Sequence, residues 1–193
     1  MNNVLLTMED KIISAAIECI EKYGLQGTTN RKIAEIAGVN SAAVNYYFRS
    51  KEALIDRCMQ ETLKNAFDWK DFNKLPASSP KEKCAAIFDD LIRGACAYPG
   101  LTRAHYSDLI LEDKYDSLAV KKLNEFLIDL VEDLKKNSVQ LEEKELQMAV
   151  AEIGSVFMLM SMAPRIFKES FGIDMNDAET RWRFIHRLVD RLL

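Results

Sequence analysis

Thr28–Leu54, TTNRKIAEIAGVNSAAVNYYFRSKEAL, is the stretch that decides the fold. Two short runs with helical periodicity, Asn30–Ala37 and Ser41–Phe48, flank Gly38-Val39-Asn40. Ile33, Ala34, Ile36 and Ala37 form the apolar set of the first run. Thr28 or Thr29 offers a hydroxyl cap for it, Asn40 caps the second, and Ser50 caps a further helix opening Lys51-Glu52-Ala53-Leu54. Gly38 sits where a tight turn needs a positive φ. Two short helices joined by a glycine turn make a helix-turn-helix pattern. Ala34 is small where the second helix must approach, and Val44 is placed to plug the pair. Ile33, Ala37, Val39 and Phe48 complete the small core, which leaves Ser41, Ala42, Asn45 and Tyr46 facing outward.

That outward face suits a DNA major groove. Its side chains are short, so the backbone can approach base edges. Asn45 can hydrogen-bond adenine, and an alanine methyl can meet a thymine methyl. Arg31 has the reach for guanine or a phosphate, and the helix N-termini with Lys51 can hold phosphates. Between residues 24 and 55 the cations Arg31, Lys32, Arg49 and Lys51 outnumber the acids Glu35 and Glu52. The bias is mild, so few direct phosphate contacts and a modest salt dependence are expected.

The segment resembles the DNA-binding domain of the TetR family of bacterial transcriptional regulators. The likeness rests on TT-x-R-x-IA-x-x-AGV, on the aromatic–aromatic–Phe ending Tyr46-Tyr47-Phe48, and on SK-EAL, and it covers residues 7 to 58. The chain departs from the family's common pattern at Asn40, Asn45 and Tyr47. The resemblance implies that Arg31 touches a base or phosphate, that Ser41, Ala42, Ala43 and Asn45 lie at or near bases, and that Thr29, Tyr46, Tyr47 and Lys51 clamp the phosphate backbone.

The chain has 193 residues, 29% charged and 48% hydrophobic, which is enough for one domain or for a small domain joined to a larger one. Seven Gly and four Pro are too few for an all-β chain. The net charge of −4 leaves no basic footprint outside the local patch. Cys19, Cys58, Cys84 and Cys96 are far apart with no CxxC pair, and read as reduced, buried thiols. With only His105 and His186, and no HExxH, GxSxG or phosphate-binding loop, nothing suggests an enzyme, a metal or another cofactor. Met1–Thr7 lacks the basic and apolar runs of a secretory leader.

Outside the motif, Thr7 and Asp10 have capping-box spacing before a helix that Gly24 is expected to close. Asn73–Pro80 is the linker candidate. Ser79-Pro80 opens a helix to about Tyr98, ended by Pro99-Gly100. Further helices are expected at Leu101–Glu112, at Ser117–Lys136, around Met148–Met162 with extension towards Ser170, and at Ala178–Leu192. The total is about nine, an all-α chain. Met148–Pro164 is nearly all apolar, but it holds 17 residues and Glu152, short of the ~20 a membrane span needs. It reads better as a buried or interfacial helix.

The expected organisation is therefore a DNA-binding domain over residues 1–55 and a helical ligand-binding and dimerisation domain over 56–193. By resemblance, the helices near 148–168 and 178–192 form a homodimer, which binds a palindromic operator in the cytoplasm as a repressor and is released by a small-molecule effector. Phe67, Phe88, Leu91, His105, Tyr106, Phe126, Phe157 and Met160 are the candidate pocket residues, with Trp69, Phe72 and Cys96 as further ones. A helical DNA-binding or protein-interaction module that needs no effector is the alternative.

Overall fold

The computed structural model describes residues 7–64, 66–137 and 141–193. Among them the chain forms twelve helices and no strand. The first four are α1 (Met8–Gly27), α2 (Asn30–Ala37), α3 (Ser41–Phe48) and α4 (Lys51–Leu63). A single turn, α5 (Trp69–Phe72), precedes α6 (Pro80–Ala97), α7 (Pro99–His105) and α8 (Ser107–Glu112). The chain then forms α9 (Leu118–Lys136), α10 (Glu143–Met162), α11 (Lys168–Phe171) and α12 (Ala178–Leu192).

Side-chain caps set most of the starts. The Thr7 hydroxyl accepts from the Asp10 amide while the Asp10 carboxylate accepts from the Thr7 amide, a complete capping box. Thr29, Asn40, Ser50, Ser79, Ser117 and Asp177 each accept from a backbone N–H in the first turn of α2, α3, α4, α6, α9 and α12. Each such bond satisfies a donor that the helix geometry leaves free.

Four expectations need correcting. Gly24 does not end α1: it sits at φ 68 as a kink, and the helix continues to Gly27. Pro99 and Gly100 do not merely stop α6; Pro99 opens α7, where its missing N–H costs nothing. The expected helix 101–112 is broken at Tyr106, whose backbone is non-helical. The apolar helix ends at Met162, not near Ser170, because Ala163 precedes Pro164 and adopts φ −135, ψ 64. With α5 and α11 as extra single turns, these breaks account for twelve helices instead of nine.

The buried side chains form two cores. The first gathers Ile12, Ile20, Ile33, Val44 and Leu54 from α1–α4, and it also takes Leu101 and Ala104 from α7. The second holds Phe88, Ile92, Phe126, Leu146, Ile153 and Ile185 from α6, α9, α10 and α12. One helix belongs to both, and a second joins the first core from far along the chain. α4 gives Leu54 and Cys58 to the first core and Leu63 to the second. α7 is pressed onto α1 so closely that a Cβ on Gly100 would lie 2.2 Å from the Glu21 carbonyl oxygen. The Glu21 carboxylate also accepts from the Leu101 N–H at 2.8 Å.

The second core contains one buried charge. Arg181 is 5% exposed, and its Nε donates to Asp89 at 3.0 Å while NH1 donates to the Met175 carbonyl at 2.9 Å. This ties α12 to α6. α10 is long and apolar enough to cross a membrane by length and composition, with 44% of its most apolar window buried inside the protein. Its Leu146, Val150, Ile153, Phe157 and Met160 pack in the second core.

Candidate nucleic-acid interface and ligand cavity

The amphipathic pattern of α3 sorts its side chains as the spacing requires. Val44 is 1% exposed and Phe48 9%, both turned into the first core. Ser41, Ala42, Asn45, Tyr46 and Tyr47 are exposed, Tyr46 at 81%. Ala43 lies at the edge of the face, half-buried. Gly38 takes φ 67 and turns the chain between α2 and α3. The rings of Tyr46 and Tyr47 meet edge to face with centroids 5.3 Å apart.

Neighbouring elements arrange the polar groups around this face. Asn30 Nδ2 donates to Asn45 Oδ1 at 2.7 Å. One acceptor of Asn45 is thereby used, and its own NH2 remains to donate. Thr29 is exposed, and its oxygen accepts from Lys32 N at 3.3 Å, so the hydroxyl proton stays available for a phosphate. Arg31 is exposed at the start of α2. Lys51 is turned partly inward, its Nζ 3.5 Å from the Thr28 carbonyl. Lys32 is committed the same way, bonding the Gly27 carbonyl at 2.8 Å and lying 4.1 Å from the centre of the Tyr23 ring.

Arg49, counted in the sequence only as a charge, is a further exposed cation at the end of α3. It caps α3 at φ 60, ψ −40, and the Ser50 N–H bonds the Phe48 carbonyl across it. This is a γ-turn of the strained, positive-φ kind, centred on an exposed arginine beside the outer face of α3. The signal available in sequence was a lone cation between a helix and its successor's cap.

The family model for bacterial regulatory proteins, tetR family, matches residues 12–58, the stretch that carries this geometry. Residues 12–58 are thus a TetR-family match, the head of the chain. Among curated relatives, the HTH-type transcriptional regulator BetI of Vibrio vulnificus is 31% identical over 81 residues, covering 41% of this chain and 41% of that protein. The HTH-type transcriptional repressor KstR2 of Mycolicibacterium smegmatis is 28% identical over 148 residues, covering 74% of this chain and 65% of KstR2. Each match thus spans less than two thirds of the relative's length. Among solved structures, a transcriptional regulator from Rhodococcus superposes with a TM-score of 0.72 at 14% identity, covering 97% of this chain and 96% of that one. The last likeness extends the TetR-like fold through the second core.

The helical body beyond this head holds a cavity of about 270 Å³ between α4, α6, α7 and α10. Of the candidate pocket residues, Phe67, Leu91, His105, Tyr106 and Phe157 line it. Phe88, Phe126 and Met160 do not: they are 1%, 1% and 3% exposed and fill the core behind it. Phe126 stacks on Phe67 and also touches Trp69 and Phe72, which places those two rings away from the cavity wall. Cys96 is half-buried and lies outside the lining as well. Thr62, Asp90, Gly94, Tyr98 and Thr102 also belong to the wall and were not anticipated.

His105 Nε2 lies 3.0 Å from Thr62 Oγ1, and the Thr62 hydroxyl is also 2.9 Å from the Cys58 carbonyl. Burial lowers the His105 pKa from 6.5 to about 4, so the ring is neutral at pH 7. A wider groove of about 760 Å³ runs along α12 past Trp182, Arg183 and Arg187, but it is an open surface on a helix expected at a dimer interface. Among the described residues, no group of three or more His, Cys, Asp or Glu side chains could hold a metal ion.

Proposed function

We propose that this chain is a transcriptional repressor that binds a palindromic operator as a homodimer and leaves it when a small molecule fills the cavity. The observation that carries the reading is the exposed Ser41-Ala42-Asn45-Tyr46 face of α3, backed by buried Val44. A short helix with this face fits the major groove, with bases read by Asn45 and small side chains and phosphates held by Thr29, Arg31, Tyr46 and Tyr47. In this reading residues 1–55 serve as the DNA-binding domain and 56–193 as the effector and dimer domain. The protein acts in the cytoplasm, where the DNA is.

Dimerisation is supported by what α10 and α12 leave uncovered. Met148, Ala151, Ser155 and Leu159 form one exposed stripe along α10, and Trp182 is 54% exposed on α12. Pairing these faces across a twofold axis buries them and presents two copies of α3, which must sit roughly 34–36 Å apart to read successive turns of DNA. The effector role is supported by α4 and α7, because each lines the cavity and also packs in the first core. A ligand that favours one arrangement of these helices shifts the spacing of the heads.

The test is fluorescence anisotropy with duplexes from the chain's own upstream region and a scrambled control. Preference for the native sequence, with a dimer on sedimentation, supports the reading; equal binding to the control removes it.

A further inference from the structure

The cavity wall also carries information about its occupant, and this step rests on the effector reading above. Among the described residues lining the cavity, Asp90 supplies the one carboxylate, and none is Lys or Arg. His105 and Tyr106 stay neutral there, since burial lowers the imidazole to about 4 and raises the phenol to about 12. Asp90 pairs with Arg93 one turn further along α6, but Arg93 does not line the cavity and its side chain is 61% exposed. An exposed pair of this kind contributes little, so a cation in the cavity can take the carboxylate over at small cost.

An anion fares differently. It would approach Asp90 and find no cation on the wall, and desolvating a charge without a partner is expensive. The remaining surface favours positive charge: Phe67, Tyr98, Tyr106 and Phe157 present aromatic rings, whose faces attract cations. The volume of about 270 Å³ falls at the small end of ligand pockets, which suits a molecule built on a single ring or a short chain.

We infer that the cavity takes a compact organic cation, an amine or quaternary ammonium on an apolar body, with its charge at Asp90 and its body against Phe67, Tyr106 and Phe157. The charge is read at the mouth, where Tyr98 and Asp90 are partly exposed, and the apolar body is read inside.

Three probes with the same ring separate charge from shape: benzyltrimethylammonium, benzyl alcohol and benzoate. Each is titrated into the full chain by calorimetry and checked by thermal midpoint, since a ligand of the native state raises it. The cation is expected to bind about tenfold more tightly than the alcohol, with benzoate weakest. Asp90→Asn, on the surface of α6, should erase the cation's advantage and leave the alcohol's affinity as it was. Benzoate binding as well as the cation, or an Asp90→Asn variant that still prefers the cation, overturns the charge assignment and leaves an effector cavity standing. Failure of all three probes at millimolar concentration overturns both.

Discussion

Asn30 Nδ2 donates to Asn45 Oδ1, so the first residue of α2 fixes the amide plane of a side chain on the exposed face of α3. The two residues are fifteen apart in sequence and act as one reading unit. Asn45→Ala should cost about 1–3 kcal/mol of discrimination at one base pair and leave binding to other sequences unchanged. Asn30→Ala should relax the preference at that same base pair, because the amide is free to rotate. Competition binding against single-base operator variants measures both, and an effect of Asn30→Ala spread over every position would argue against this coupling.

Arg31→Ala, Tyr46→Ala and Arg49→Ala should each weaken operator binding, with thermal midpoints within a few degrees of the parent, because all three side chains are exposed. Arg49→Gly separates two effects. Glycine tolerates φ 60, so the fold should gain up to about 1 kcal/mol while DNA affinity falls. Urea melts and anisotropy on the same samples give both numbers, and a destabilised Arg49→Gly would remove strain from the account.

Gly100→Ala pushes a methyl against the Glu21 backbone oxygen and should destabilise the fold by about 1–3 kcal/mol. Glu21→Gln keeps the contact shape but weakens the bond to the Leu101 N–H. It should leave DNA affinity near normal and reduce the response to any cavity ligand. A full ligand response in Glu21→Gln would show that α4 alone transmits.

Acid should unfold the chain in two ranges. The His105 imidazole titrates at about 4 when folded and near 6.5 when free, so the unfolded chain takes up the proton first. Stability is complete above about pH 6.5, falls as the pH drops towards 4, and levels off below that. Asp10, Glu82, Asp174 and Asp177 are held below their ordinary values by hydrogen bonds, and their losses belong to lower pH. Urea midpoints at pH 7 and pH 5 isolate His105: the parent should lose stability between them, and His105→Gln should lose much less.

Removing Asp89 strands the buried Arg181. Asp89→Ala should cost about 3 kcal/mol, more than its own quarter exposure suggests, because the guanidinium loses its counter-ion. Replacing both partners with apolar residues should recover part of that loss. Thermal melts of the single and double variants decide the matter, and additive losses would mean the two residues do not act as a pair.

The part of the first core built by α2, α3 and the start of α4 was legible because its positions answer local rules. The caps at Thr7, Thr29, Asn40 and Ser50, the φ of Gly38 and the inward Val44 all follow from spacing a few residues long. The cavity was less legible because empty space is a property of several helices at once. Phe88 and Phe157 look alike in sequence, yet Phe88 fills the core and Phe157 borders the void. What leaves the void is partly the small side chains of Gly94 and Ala95, whose spacing carries no signal of its own. Gly100 was read as a stop, since a close approach to α1, far away in sequence, cannot be seen from neighbouring residues.

Leu101 and Ala104 reach into the first core from far along the chain. Excising the first four helices would therefore leave an unfilled socket where α7 had been, and an isolated fragment should be loose and sticky. Anyone building a hybrid regulator from this head would have to transplant α7 with it, or recut the seam of α1 around Glu21 to suit the recipient's own helix.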